Sequence, residues 1–349
     1  MNFKNELIDW YSVNKRNLPW RNTRNPYHIW LSEIILQQTQ VKQGLPYYEA
    51  FVKAYPTIFD LANASEQEVL KLWQGLGYYS RARNLHGTAK HIAFQLKGVF
   101  PDNYKDLIKL KGVGDYTASA IASIAFDEVA AVVDGNVYRV LARYFGIDTP
   151  INSTAGIKAF KTLATSLIDP EQPAVFNQAI MEFGATQCKP KNPYCMVCPL
   201  NDSCTALQKN LIDQLPVKLK KTKVTTKYFN FLVCVDKHKN TILEKRIGKG
   251  IWQNLFQFPL IESNRSLSSE EFHYLDIQNS ILKDIAFEHS LYNQDDIVHK
   301  LSHQHLHTKF WIIETDELPK EAISIHQLKS YPTPVLIGDF IDTFNFNRL

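Results

Sequence analysis

The sequence predicts two domains of different class, a mainly α region over residues 1–215 and a mixed α and β domain over residues 227–349, joined by a linker at 216–226. Three observations predict it. Apolar side chains recur at three- and four-residue intervals in LSEIILQQTQVKQGLPYYEAF and SEQEVLKLWQGLG, the spacing of a helix face. From Leu215 the character changes, because LPVKLKKTKVTTK holds five lysines and almost no large apolar residue, as an exposed linker does. Beyond it YFNFLVCVD, TILEKR and TKFWIIET alternate and are rich in β-branched and aromatic residues, the signal of strands.

A chain of 349 residues accommodates two domains, each with its own core. Its 45% hydrophobic and 21% charged residues are the balance of a folded globular protein. The segment MNFKNELIDWYSVNKRNLPW is broken by charge and lacks an apolar signal core. No window approaches the about 20 apolar residues that span a bilayer. The expectation is therefore a cytoplasmic protein without membrane contact, in which reduced thiols favour metal over disulfides. The net charge of +4 is uneven: residues 1–220 hold 24 Lys and Arg against 19 Asp and Glu, and the remainder 15 against 16. A basic first half suits a polyanion, although charge alone fits an ordinary slightly basic protein equally well.

Within the helical region Ser65 and Glu68 have capping-box spacing, which starts a helix there. Gly75, Gly77, Gly98, Gly112 and Gly114 mark the connections. In CKPKNPYCMVCPLNDSC, Cys188, Cys195, Cys198 and Cys204 fall within seventeen residues, spaced C-x6-C-x2-C-x5-C. Four close thiolates suit zinc or an Fe4S4 cube. Zinc sites usually come as two C-x2-C pairs, and here one short pair is flanked by arms of six and five residues, which wrap a larger object. Cys234, alone in a strand pattern, reads as a buried apolar residue.

LKGVGDYTASAIAS, residues 110–123, looks like the turn and second helix of a helix-hairpin-helix element. Gly112 and Gly114 allow a tight turn that bares N–H groups at a helix start, where a phosphate binds without base contacts. Glycines also end helices for purely structural reasons. Asp134, in VVDGNVYRVLAR, stands where an N-cap belongs. Glu33, in WLSEIILQQTQV, lies on a helix read as amphipathic among Trp30, Ile34, Ile35 and Leu36, whose apolar bulk would raise its pKa as a general acid requires.

Taken together, the cysteine spacing, the hairpin and Asp134 in this order resemble the endonuclease III superfamily of helix-hairpin-helix DNA glycosylases, and the Glu33 string resembles the adenine glycosylases of the MutY type. The resemblance is strongest over residues 15–205. It implies a six-helix part at about 22–130 and a cluster part at about 1–21 and 131–215. It implies a [4Fe-4S] cluster on the four cysteines, bracing a loop whose Lys189 and Lys191 meet the DNA backbone. Asp134 would stabilise the oxocarbenium-like sugar, Asn136 would orient Asp134, and Glu33 would protonate N7 of adenine. Strand-nicking relatives carry a lysine where this chain has Tyr116; a phenol is no amine nucleophile, so the expectation is a monofunctional enzyme without lyase activity. RNLPWRNTRNPYHIW resembles the pocket segment, so Leu18, Trp20 and Arg21, with Val41, would line the adenine site, and Gln178 would read adenine's amino edge. GLGYYSRARNLH resembles the wedging loop, with Tyr78 between bases and Gln38 filling the space of the flipped nucleotide.

GKGIWQNLFQFPLIE and KLSHQHLHTKFWII resemble the Nudix-like C-terminal domain of the same family. Nudix hydrolysis needs a G-x5-E-x7-R-E-x2-E-E-x-G box; with Arg265 as its arginine, Ile251 and Gln257 replace the glycine and first glutamate. The resemblance instead implies a reader of 8-oxoguanine at Ser302 and His303, with Leu301 where the family commonly has Phe. The implied partner is duplex DNA with A opposite 8-oxoguanine or G, met by a monomer that is nucleoid-associated when bound. A thymine mismatch glycosylase and a non-catalytic damage-binding protein are the rival readings.

Overall fold

Helices follow one another through the first two hundred residues: α1 (Phe3–Asn14), α2 (Pro26–Leu36), α3 (Val41–Ala54), α4 (Ile58–Asn63), α5 (Glu66–Leu72), α6 (Ser80–Lys90), α7 (Tyr104–Leu107), α8 (Asp115–Phe126), α9 (Gly135–Phe145), α10 (Thr154–Leu167), α11 (Pro173–Thr186) and α12 (Thr205–Gln208). Strands come after them, namely β1 (Thr225–Asp236), β2 (Asn240–Thr241), β3 (Glu244–Lys245), β4 (Phe256–Gln257), β5 (Leu260–Ser263), β6 (Phe287–Leu291), β7 (Ile297–Lys300), β8 (Gln304–Thr315) and β9 (Ile323–Ser324), before a last helix α13 (Val335–Thr343). This computed structural model describes residues 3–219, 224–277, 280, 282–283 and 285–346. Among the described residues no helix is long and apolar enough to cross a membrane.

The chain divides into two units, Met1–Asn63 with Asn84–Lys220, and Ala64–Arg83 with Lys221–Leu349. In the first, α2 begins where the Asn25 side chain accepts from the Tyr27 amide, with Pro26 in the first turn where a missing N–H costs nothing. Helix α2 is not the amphipathic helix that its sequence predicts. Residues Ile29 to Ile35 of α2 are all buried, so it is a core helix, and Glu33 is inside because the whole helix is. The long periodic stretch 31–51 is two helices, broken where Gln38 turns left-handed at φ 56°. Helix α11 packs against α9, α1 and α8.

The second unit is built on a mixed sheet in the order β6-β8-β1-β2-β9, with β5 beside β1 and β7 beside β8. Strands β1 and β8 run parallel over twelve residue pairs, from Thr225↔Gln304 to Asp236↔Thr315. One face packs Leu232, Cys234, Trp311 and Ile313 against Leu267, Phe272, Leu275 and Leu282, so Cys234 is a core side chain. On the other, Phe310 stacks on Phe340 of α13 with ring centroids 4.1 Å apart. The alternating stretch TILEKR is not one strand: β2 joins the large sheet, and β3 pairs with β4 in a separate ladder.

Helix α5 starts at the Ser65–Glu68 capping box, with both reciprocal bonds present, and it belongs to the second unit. Of the stretch 216–226, Val217 and Leu219 hydrogen-bond Ile151 and Asn152 of the first unit. Thr225 and Thr226 already belong to β1, and residues 220–223 lie outside the described ones.

Candidate active site and cysteine cavity

A pocket in the first unit gathers side chains from α2, α3, α8, α9, α11 and the segment before α2. Leu18, Trp20, Arg21, Glu33, Val41, Tyr116, Asp134, Asn136 and Gln178 all line it. Glu33 is 8% exposed. Burial is the main force on its carboxyl group, Asp134 adds to it, and the Tyr116 hydroxyl and the Arg21 charge oppose it; the result is a pKa pushed up to about 7. The Tyr116 hydroxyl donates to Met181 Sδ at 3.2 Å, and burial with the two nearby carboxyls of Glu33 and Asp134 holds its phenol well above the ordinary value, so it stays protonated.

Asp134 is an N-cap as well as a pocket residue. Its Oδ1 accepts from the amides of Asn136 at 2.9 Å and Val137 at 2.8 Å, and its Oδ2 from Asn136 Nδ2 at 2.7 Å. Burial raises its pKa against these three donors. Asn136 Oδ1 in turn accepts from Arg139 at 2.9 Å, and Arg139 also donates to the carbonyls of Gly184 at 2.6 Å and Cys188 at 2.7 Å. Gly184 permits this approach, since a Cβ there would lie 2.6 Å from Asn136.

Three contributors have no local sequence signal. Glu182, one turn from Gln178, is 1% exposed and accepts from Arg16 Nε and Nη2 at 2.7 Å each and from Arg21 Nη2 at 2.6 Å. Burial would raise the pKa of Glu182, yet the two guanidinium groups outweigh it and bring it to about 2. Tyr11 of α1 donates to Gln178 Oε1 at 2.7 Å, which leaves the amide's Nε2 donors for whatever enters the pocket.

Glu182→Gln is therefore expected to destabilise the first unit by roughly 2–4 kcal/mol, less than breaking a fully buried pair because Arg16 is part-exposed. The wild-type contribution is present above the ordinary carboxylate pKa and is lost as pH falls towards 2. Urea unfolding at pH 7 measures it, and an unchanged midpoint would show that the pairing of Glu182 with Arg16 and Arg21 adds no stability.

Elsewhere, Gln38 is exposed in the α2–α3 turn, and Tyr78 is 50% exposed. Gly112 takes φ 79° and Gly114 caps α8, so the hairpin turn has the expected backbone. Ser302 and His303 sit exposed in the turn between β7 and β8, their side chains 3.4 Å apart. Lys191 is exposed, whereas the Lys189 ammonium lies 3.8 Å over the Tyr194 ring.

Cys188, Cys195, Cys198 and Cys204 line one cavity with Arg143, Tyr194, Leu200 and Leu207, and none is in a disulfide. Among the described residues no three Cys, His, Asp or Glu side chains are grouped to hold a metal ion. A cube whose iron corners each take one thiolate needs no such convergence. Arg143 Nη1 lies 3.5 Å from Cys188 Sγ, and the backbone N–H groups of Leu200 and of Ala206 and Leu207 oppose the burial that raises the thiol pKa of Cys198 and Cys204. Donors and a cation around four thiols in one cavity fit an anionic thiolate cluster.

Comparison with known proteins agrees with this architecture. The model of the HhH-GPD superfamily base excision DNA repair proteins matches residues 31–163, and that of the NUDIX domain matches residues 230–343. The adenine DNA glycosylase of Buchnera aphidicola subsp. Baizongia pistaciae (strain Bp) is 39% identical over 317 residues, 89% of this chain and 86% of its own. That of Homo sapiens is 46% identical over 222 residues, 61% of this chain, which spans only 41% of the human protein. Among solved structures, a thermostable thymine-DNA glycosylase is similar with TM-score 0.55 and 32% identity over 59% of this chain and 95% of that one. A non-covalent endonuclease III–DNA complex shares the fold with TM-score 0.52 and 24% identity, over 60% of this chain and 94% of that one. With a helix-hairpin-helix glycosylase region, a Nudix-like domain and a relative matched over nearly its whole length, the chain belongs to the family of adenine DNA glycosylases.

Proposed function

We propose that the protein is a monofunctional DNA glycosylase of base excision repair that hydrolyses the N-glycosidic bond of adenine opposite 8-oxoguanine or G. The observation that carries the reading is Glu33, buried on the wall of a pocket it shares with Asp134 and poised near neutral pH. A carboxylic acid in that state donates a proton to N7 of a flipped adenine and turns the base into a neutral leaving group. Asp134, whose carboxylate oxygens accept three hydrogen bonds, faces the sugar and stabilises the oxocarbenium-like charge, the division of labour that paired carboxyl groups perform in glycoside hydrolysis. Gln178, its oxygen engaged by Tyr11, offers Nε2 to a ring nitrogen of the base.

The neutral phenol of Tyr116 lends no amine for a Schiff base, so the reaction ends at an abasic site. The N-terminus of α8 receives a phosphate at Gly112–Gly114, and Ser302 with His303 reads the opposite base. The four cysteines would hold a [4Fe-4S] cluster that braces the loop of Lys189 and Lys191 against the DNA backbone. The protein then acts as a cytoplasmic, nucleoid-bound monomer.

The test is a panel of duplexes with A·8-oxoG, A·G, T·G and U·G, each followed by alkali. Cleavage is expected at adenine alone, and only after alkali. Release of thymine would overturn the substrate assignment, and nicking without alkali would overturn the monofunctional one.

A further inference from the structure

The turn that carries Tyr78 is tight and strained. Gly75, Gly77 and Tyr78 all have positive φ, at 97°, 77° and 49°. A tyrosine in the left-handed region costs on the order of 1–3 kcal/mol and persists only where its surroundings fix it. From inside the turn, Trp73 Nε1 donates to the Gly77 carbonyl at 3.0 Å, and Arg81 donates to the same oxygen at 3.2 Å. The Arg81 guanidinium also lies 5.1 Å from the Trp73 ring and 5.6 Å from that of Tyr78.

Further bonds reach the turn from about 250 residues away in sequence, inside the same structural unit. The Tyr79 hydroxyl accepts from the Gly75 amide at 3.3 Å and donates to the Thr333 carbonyl at 3.3 Å. Gln74 Nε2 donates to Thr333 Oγ1 at 3.2 Å, and Lys71 Nζ to the Tyr331 carbonyl at 3.2 Å. Thr333 is 2% exposed, and Gly338 of α13 comes so close that a Cβ would lie 3.1 Å from Gln74 Nε2. Behind the turn Trp73, Tyr79 and Thr333 are buried and hydrogen-bonded, while the Tyr78 ring is held half in solvent.

We infer that residues 331–333 of the Nudix-like domain brace the Tyr78 turn, making Gln74 and Thr333 positioning residues for base extrusion. The inference rests on the reading of Tyr78 as the wedge. A wedge works only if its ring does not swing aside when it meets stacked bases, and unstacking costs a few kcal/mol per step. The brace supplies that resistance for any duplex, whether or not the opposite base is oxidised.

The experiment uses the full chain and duplexes with 2-aminopurine opposite 8-oxoG or G, whose fluorescence rises on unstacking. Gln74→Ala and Thr333→Val are expected to lower extrusion roughly three- to tenfold on both duplexes, the effect of losing one or two part-buried hydrogen bonds. Thr333→Ser, which keeps the hydroxyl, is expected to extrude normally. In a Tyr78→Ala background, Gln74→Ala is expected to cause no further loss. Further, additive loss there would overturn the brace, as would a loss confined to 8-oxoG duplexes or equal behaviour of Thr333→Val and Thr333→Ser. If Tyr78→Ala alone extrudes normally, the wedge reading itself fails. Normal extrusion by Gln74→Ala beside a defective Tyr78→Ala sinks the brace and spares the wedge.

Discussion

Replacing Glu33 by glutamine is expected to slow adenine excision by about two to four orders of magnitude and to make the folded protein more stable at pH 8. Both effects have one cause. A group with a pKa of about 7 in the folded state and 4.5 in the open chain holds its proton in the fold across that window. The folded state then binds more protons than the unfolded one, so stability falls as pH rises from 4.5 to 7 and stays lowered above it. The gap corresponds to roughly 3 kcal/mol of destabilisation. Glutamine fills the same volume and carries no charge to desolvate. Wild-type excision under single-turnover conditions should decline above about pH 7 as the acid ionises. A variant that excises normally, or a pH-independent wild type, would refute Glu33 as the acid; equal stability at pH 8 would refute its burial cost.

Asp134→Asn is the second large effect, roughly a thousandfold or more in single-turnover excision, because a full negative charge facing a developing cation is removed. Here the N-cap geometry makes the experiment clean. Asparagine caps helices about as well as aspartate, so α9 should keep its start and the thermal midpoint should change little. Binding to A·8-oxoG duplexes should persist. An Asp134→Asn protein that excises at the wild-type rate would reduce the residue to a cap, and one that unfolds would show that the charge itself holds α9.

What the sequence made legible was whatever is local. The Glu33 string, the GVG turn, the Asp134 cap and the cysteine loop each occupy fewer than twenty consecutive residues, and the structure puts Glu33, Tyr116, Asp134 and the pocket segment around one cavity. What stayed hidden depends on pairs far apart in the chain. Glu182 meets Arg16 and Arg21 across more than 160 positions, and Tyr11 meets Gln178 across 167. A buried glutamate between arginines looks, as a string, like any helix-face charge. The amphipathic reading of α2 failed for a related reason. Polar Ser32 and Glu33 imply a wet face, and only the packing of neighbouring helices reveals that there is none.

The two units interleave along the chain, since Ala64–Arg83 folds with Lys221–Leu349. This limits how such a protein can be dissected or recombined. A fragment that stops at residue 219 keeps α5 and the following turn but deprives Glu66 of Asn254, Lys71 of the Tyr331 carbonyl and Gln74 of Thr333. The clean module is not the N-terminal two-thirds of the polypeptide. A gene fusion that swapped the C-terminal domain for another would have to supply those partners anew.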